Sequence, residues 1–122
     1  MIESTKVVIS TTGPFAKYGS DLVAFCSRIG THYCDITGET DWVREMIDKH
    51  DENARTSGAR IVHFCGHDCV PWDLAVLECS KYLKAKGESL VEVNCYDEIS
   101  SSPSGGTIAT IFHALNNREK LI

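Results

Sequence analysis

The chain has 122 residues, of which 43% are hydrophobic and 24% are charged, a composition typical of a globular domain. Its net charge of -5 and the lack of any lysine and arginine cluster argue against nucleic-acid binding. No apolar run approaches the roughly 20 residues that span a bilayer, and the first residues lack a signal-peptide core. Several of the six cysteines lie in apolar patterns typical of buried thiols. We therefore expect an intracellular protein with reduced cysteines.

The first half of the chain alternates short apolar runs with amphipathic segments. The runs lack polar alternation, which is typical of strands buried on both faces of a parallel sheet. Ser20 and Thr40 are predicted as helix N-caps, and Gly30 and Gly58 as helix stops. The predicted elements are a strand at 6–10, a helix from Ser20 to Gly30, a strand at 32–36, a helix from Thr40 to Gly58 and a strand at 61–65.

The second half is predicted to contain two more helices and one more strand. Pro71 favours the first turn of a helix that continues to Gly87, and residues 74–77, apolar on all sides, are predicted to be buried. Residues 91–95 alternate apolar and polar side chains, which predicts a strand in a different sheet with one face in water. A loop then precedes a final helix that ends near 116–117. The order β-α-β-α-β-α, then β-loop-α, predicts an α/β fold with parallel crossovers.

Four motifs lie at the predicted strand ends and helix starts. They are TGPFAKYG at 12–19, YCDITGE at 33–39, GHDCVPWDL at 66–74 and SGGT at 104–107. In this order and spacing they resemble the saccharopine dehydrogenase-like oxidoreductases, a family that includes bacterial trans-acting enoyl reductases. The sequence departs from the family pattern at His67, where relatives often have Phe, and at Cys69, where they often have Ser.

The resemblance implies the fold, the cofactor and the chemistry. Residues 1–88 correspond to the C-terminal part of a Rossmann-type NAD(P)-binding domain, and 89–122 to the start of a second α+β domain for substrate binding or dimerisation. None of the nine glycines shows G-x-G-x-x-G spacing, so we expect the first βαβ unit to lie outside this chain. The family transfers hydride from NADP or NAD. We expect weak or no cofactor binding by this chain alone, either as part of an enzyme or as a non-catalytic subunit.

The resemblance also assigns candidate site residues. The cofactor side comprises Thr12, Gly13, Pro14, Phe15 and Tyr18, although a tight turn that needs Gly and Pro for its shape explains the same residues. The substrate side is the segment from Ser104 through Gly105 and Gly106 to Thr107, which an ordinary helix cap explains equally well.

Two polar pairs are ambiguous between chemistry and helix capping. His67 and Asp68 are candidates to orient substrate or relay protons, whereas Asp68 and Asp73 are also suited to capping the following helix. At the end of the second strand, Thr37 and Glu39 are closer to capping than to chemistry.

A metal site is a distant alternative. His63, Cys65, His67 and Cys69 alternate along the chain, and two imidazoles with two thiolates suit tetrahedral zinc. In an extended strand, neighbours two positions apart lie roughly 7 Å from each other, too far to chelate one ion. We therefore expect no bound metal. A catalytic pair, with Cys69 as nucleophile and His67 as base, is a further alternative, but it lacks a third group to orient the imidazole.

The predicted sheet edge suggests a partner. If the strand at 6–10 lies at an edge of the sheet, its unpaired N–H and C=O groups favour association with a second copy or with a complementary chain.

Overall fold

The computed structural model describes residues 2–98 and 100–116. Its strands are β1 (Val7–Ser10), β2 (His32–Asp35) and β3 (Ile61–Val62). Its helices are α1 (Phe15–Tyr18), α2 (Ser20–Ile29), α3 (Thr40–Ser57), α4 (Val70–Ala85) and α5 (Gly105–Asn116), with a short 3-10 turn at Ile2–Ser4. No helix in the described part of the chain is long and apolar enough to cross a membrane.

The three strands form one parallel sheet in the order β1-β2-β3. Helices α2 and α3 make the two crossovers, so the predicted α/β class with parallel connections is confirmed. The third strand is shorter than predicted because Phe64 adopts a positive φ of 61°, which turns the backbone out of the extended conformation. The Cys65 N–H still donates to the Asp35 carbonyl oxygen at 2.7 Å, so the chain remains beside β2.

The helix ends follow the predicted glycines, but the helix starts do not follow the predicted caps. Gly30 and Gly58 end α2 and α3 in the left-handed conformation, with φ of 83° and 78°. The N-cap positions belong to Gly19 and Glu39, so capping by Ser20 and Thr40 was wrong. The Ser20 hydroxyl instead accepts a hydrogen bond from the indole N–H of Trp42 at 2.9 Å.

The core lies between one face of the sheet and helices α2 and α3. Its buried members are Phe15, Val23, Cys26, Tyr33, Trp42, Val43 and Met46. The rings of Phe15 and Trp42 pack with centroids 5.7 Å apart. Gly19 allows this approach, because a Cβ there would lie 2.8 Å from a Trp42 ring carbon. Each large apolar side chain buried in this layer contributes about 1.5–3 kcal/mol to stability.

The opposite face of the sheet is open. Val7 and Val62 are half exposed and Ile9 is 72% exposed. These strands were predicted to be buried on both faces. That prediction was wrong, because the helices among the described residues cover only one face of the sheet.

The C-terminal part packs little against this core. Neither α4 nor α5 contains a buried residue, and Leu74 is 54% exposed. The predicted burial of residues 74–77 was wrong, because no described element covers that stretch. Residues 91–95 form no strand, since a strand needs a hydrogen-bonded neighbour and none is present among the described residues. Helix α5 confirms the predicted final helix as far as Asn116; Asn117 lies outside the described residues.

Candidate functional site

A cleft of about 240 Å³ lies at the carboxyl ends of the parallel strands, where α/β proteins bind their ligands. Segments that follow all three strands contribute to it, together with the start of α5. Its lining residues are Thr11, Gly13, Phe15, Ile36, Thr37, Gly38, Glu39, Asp68, Ser104, Gly106, Thr107, Thr110 and Ile111. All four motif regions therefore reach one cleft.

One carboxylate joins the first two strand ends. Glu39 accepts hydrogen bonds from the backbone N–H groups of Phe15 at 2.7 Å and Ala16 at 2.9 Å. The Glu39 N–H in turn donates to the Thr37 hydroxyl at 3.1 Å. The expectation that Thr37 and Glu39 cap the helix that follows them was wrong, because α3 has no side-chain cap; the Glu39 carboxylate caps α1 instead. A negative charge at the start of α1 also suits the positive end of the helix dipole.

The cofactor-side candidates divide into two groups. Gly13 and Phe15 line the cleft, and Pro14 is buried behind them. Thr12 and Tyr18 are exposed and do not line it; the Tyr18 ring instead lies 5.1 Å from the Lys17 ammonium. Gly13 leaves its side of the cleft open, since even a Cβ there would come no closer than 3.6 Å to the Phe15 ring and 3.8 Å to the Thr110 hydroxyl.

The two candidates for proton chemistry are also separated. Asp68 is exposed and lines the cleft. His67 lies outside the cleft lining, with its Nε2 3.6 Å from an Asp97 carboxylate oxygen and its ring near that of Trp72. Helix α4 has Cys69 at its N-cap position and no side-chain cap, so capping by the Asp68 side chain was wrong, whereas Asp73 lies in the first turn, where a carboxylate suits the positive end of the helix dipole as predicted.

The start of α5 combines a cap with open backbone donors. The Ser104 hydroxyl accepts the Thr107 N–H at 3.2 Å and lies 3.1 Å from the Thr107 hydroxyl, which confirms the helix-cap interpretation. The N–H groups of Gly105 and Gly106 have no hydrogen-bond acceptor among the described residues. This helix start therefore keeps donors beside the cleft after its own cap is formed.

A buried acid–imidazole pair lies at the same strand ends and was missed from the sequence. The His63 Nδ1 is 2.7 Å from the Asp35 carboxylate, and their side chains are 7% and 0% exposed. The other Asp35 oxygen accepts the Thr37 N–H at 3.1 Å. The His63 ring also meets the Trp42 ring edge-on at 5.3 Å. The available signal was that Asp35 lies near the end of one predicted strand and His63 lies in its predicted parallel neighbour.

The Asp35–His63 pair lies beside Tyr33, and Asp35 affects the pKa of the Tyr33 phenol. Burial, together with the nearby Asp35 charge, raises the pKa of Tyr33 well above its ordinary value. The Tyr33 ring lies against His63, with centroids 5.8 Å apart. Tyr33 is therefore a neutral phenol beside the Asp35–His63 pair.

The cysteine and histidine alternation does not form a metal site in the described residues. No group of three or more His, Cys, Asp or Glu side chains there is arranged to hold a metal ion. His63 is bound to Asp35, and the Cys65 thiol donates to the Val62 carbonyl at 3.6 Å. Burial and then the neighbouring Cys34 raise the pKa of Cys65, which disfavours a reactive thiolate. The metal-binding alternative has no support.

The chain is similar to mycobacterial proteins named trans-acting enoyl reductases. A Mycobacterium tuberculosis relative, so named provisionally, is 41% identical over 95% of this chain and 28% of its own length. A Mycobacterium leprae relative is 47% identical over 64% of this chain and 19% of the relative's own length. A Mycobacterium ulcerans relative is 38% identical over 94% of this chain and 28% of its own length. No family model and no solved structure matches.

The similarity covers almost the whole of this chain in the Mycobacterium tuberculosis and Mycobacterium ulcerans relatives. The chain spans less than a third of the length of the relatives it matches.

Proposed function

We propose that this chain forms part of an NAD(P)-dependent enoyl reductase of the saccharopine dehydrogenase-like class. The observation that carries the proposal is the convergence of the four motif regions on one cleft at the carboxyl edge of a parallel sheet. The enoyl reductase names of the mycobacterial relatives support the same class of reaction. When bound, a nicotinamide cofactor supplies the hydride, and the protein supplies position and polarity.

The cleft suits the uncharged part of such a cofactor. Glu39 already occupies the N–H donors of Phe15 and Ala16, and its carboxylate repels a phosphate at that point. Gly13 permits close approach of a flat ring, and the Phe15 ring forms one wall. We therefore assign the nicotinamide side to Gly13 and Phe15, with Pro14 shaping the turn. Thr12 and Tyr18 reach a cofactor only if it extends beyond the cleft.

The opposite wall is assigned to the substrate. The free N–H group of Gly106, which lines the cleft together with Thr107, suits a carbonyl oxygen of an enoyl group, and the N–H of Gly105 adjoins it. Asp68 is the group in this wall that can hold or move a proton, whereas His67 must turn away from Asp97 to join it. Residues 1–88 would then be the cofactor-binding part and 89–122 the start of the substrate part.

A chimeric enzyme tests this proposal. A Mycobacterium tuberculosis trans-acting enoyl reductase matches this chain over 120 residues, at 37% identity. We expect the full-length relative to keep NADPH-dependent reduction of an α,β-unsaturated acyl thioester when this chain replaces that segment. Asp68→Asn in the chimera should lower kcat by about 100-fold. The matched control is Glu78→Gln, an exposed carboxylate of α4 outside the cleft.

The outcomes of this experiment are distinct. A folded chimera without activity, beside an active parent, would contradict the proposed function. An active chimera in which Asp68→Asn behaves like Glu78→Gln would remove Asp68 from the site but leave the class of reaction.

For the isolated chain, calorimetric titration with NADP and NAD is expected to show weak or no binding. Low micromolar affinity would contradict the assignment of this chain as a partial cofactor-binding unit.

A second candidate is a non-catalytic subunit that acts by association. The specific observation in its favour is the open sheet, where Ile9 is 72% exposed and β1 lies at an edge. Unpaired strand edges and apolar faces are templates for association. The partner would be a second copy or a chain that supplies the neighbouring strand. Co-expression with the N-terminal segment of a mycobacterial relative tests this candidate, and a soluble complex with no reductase activity would favour it over the enzyme.

A further inference from the structure

A larger cavity, of about 370 Å³, lies between α3 and β3 and shares no lining residue with the strand-end cleft. Its floor is apolar and includes Val23, Met46, Ala54 and Ile61. Its size falls in the range of about 300–1,000 Å³ typical of small-molecule sites. The cavity plays no part in the proposed reaction.

The polar wall of this cavity is basic. It comprises His50, Asp51, Arg55, Arg60 and His63. Asp51 is bound to Arg55 at 2.6 Å, and His63 is bound to Asp35. Arg60 makes no ion pair within the described residues, so one guanidinium at the rim keeps an uncompensated charge. This positive rim stands out on a chain with a net charge of -5.

A second polar group of this wall also lacks a protein partner. The Nδ1 atom of His50 is buried and has no hydrogen-bond partner among the described residues. A buried polar atom without a partner is costly, and native proteins usually satisfy it with protein, water or ligand. The Arg60 backbone is fixed beside the cavity, since its N–H donates to His32 Nδ1 at 3.1 Å.

We propose that this cavity binds a small anionic amphiphile, a carboxylate with a short alkyl chain. The alkyl chain lies on the apolar floor, where burial of its methylene groups drives binding. The carboxylate receives charge-assisted hydrogen bonds from Arg60 and a hydrogen bond from His50 Nδ1. A nucleotide is a poor match, because the floor is apolar and the rim has only one uncompensated guanidinium. The inference is independent of the reductase activity.

Titration of the isotopically labelled chain with octanoate tests the site. We expect saturable NMR shifts of the amides around Ala54, Arg60 and Ile61, with no comparable shifts at Gly13 or Ser104. Octan-1-ol and octylamine are the matched neutral and cationic probes, and both should bind about tenfold more weakly than octanoate. Equal binding of all three probes, or no saturation by octanoate, would overturn the proposal.

Substitution of Arg60 directly tests whether its positive charge binds the carboxylate. Arg60→Gln should weaken octanoate binding about tenfold, the effect of one lost charge-assisted contact. The matched control is Arg44→Gln, which removes an exposed arginine of α3 that pairs with Asp48 and does not line the cavity. Thermal melts establish that both variants fold. Equal affinity of the two variants would overturn the assignment of Arg60 as the anion ligand.

Discussion

Replacement of His63 by leucine is expected to destabilise the fold, because it leaves the buried Asp35 carboxylate without its partner. Asp35 is completely buried, and His63 is its partner at 2.7 Å. Breaking a buried pair by removing one member costs about 3–5 kcal/mol, because the remaining charge keeps its desolvation cost. The Thr37 N–H still donates to the other Asp35 oxygen, which places the cost near the lower end of that range. A loss of about 3 kcal/mol changes the unfolding equilibrium by roughly 100-fold.

The size of the side chain is a minor part of this effect. Leucine keeps apolar contact with the Trp42 ring, which meets His63 at 5.3 Å. The informative companion is the double variant Asp35→Asn with His63→Leu, which removes both members of the pair. We expect it to be more stable than His63→Leu, because an uncharged amide costs less to bury than an unpaired carboxylate. His67→Leu is the control, since the His67 side chain is 69% exposed.

Urea unfolding followed by circular dichroism and by tryptophan fluorescence measures these free energies. Agreement between the two signals establishes that the transition is two-state. The control should lie within about 0.5 kcal/mol of the parent. If His63→Leu costs less than about 1 kcal/mol, or if adding Asp35→Asn brings no recovery, the buried Asp35 carboxylate does not depend on His63 and the reasoning fails.

Four further outcomes are expected. Glu39→Gln removes the charged acceptor of two backbone N–H groups, and should cost about 1–2 kcal/mol in thermal melts; an unchanged melt would contradict this. Gly19→Ala places a Cβ 2.8 Å from a tryptophan ring carbon and should cost about 1–3 kcal/mol, whereas Gly38→Ala, with no atom within 4 Å, should cost less than about 1. Stability should fall above pH of about 10, where the unfolded state releases the Tyr33 proton that the folded state retains, and Tyr33→Phe should flatten that decline. Sedimentation should show self-association that Ile9→Lys reduces; a stable, cooperatively folding monomer would refute it.

Local patterns predicted the first half of the fold well. Continuous apolar runs identified β1 and β2, and Gly30 and Gly58 marked the ends of α2 and α3, because these signals act within a few residues of the sequence. The helix starts were less predictable. The Ser20 hydroxyl is engaged by Trp42, which lies 22 positions away, and no local pattern reveals that competition.

The errors in the second half have a different physical cause. Apolar residues 74–77 were expected to be buried and residues 91–95 to pair, but both expectations depend on neighbours beyond the segment itself. Leu74 is exposed because nothing among the described residues covers α4. Side-chain patterns report which surfaces favour burial, and the packing partner decides whether burial occurs.

The candidate site was partly predictable for the same reason. Gly13, Glu39 and Asp68 all follow predicted strands, and the structure places all three at the one edge of the sheet where parallel strands end. The pairing of Asp35 with His63 was missed, because it needs the register between β2 and β3, which the sequence does not display. His67 was selected by proximity in sequence, and its side chain lies outside the cleft lining.

The bonds from Glu39 to the start of α1 tie the segment after β2 to the segment after β1, so we expect the two segments to open as one unit. The Phe15 and Ala16 amide protons are then expected to exchange with solvent when the Glu39 carboxylate withdraws. Their exchange rates therefore give the free energy of opening this cooperative unit, without any ligand or substrate. A molecule that rests on this wall will slow both amides together by mass action, so two protons in one spectrum report occupancy of the cleft.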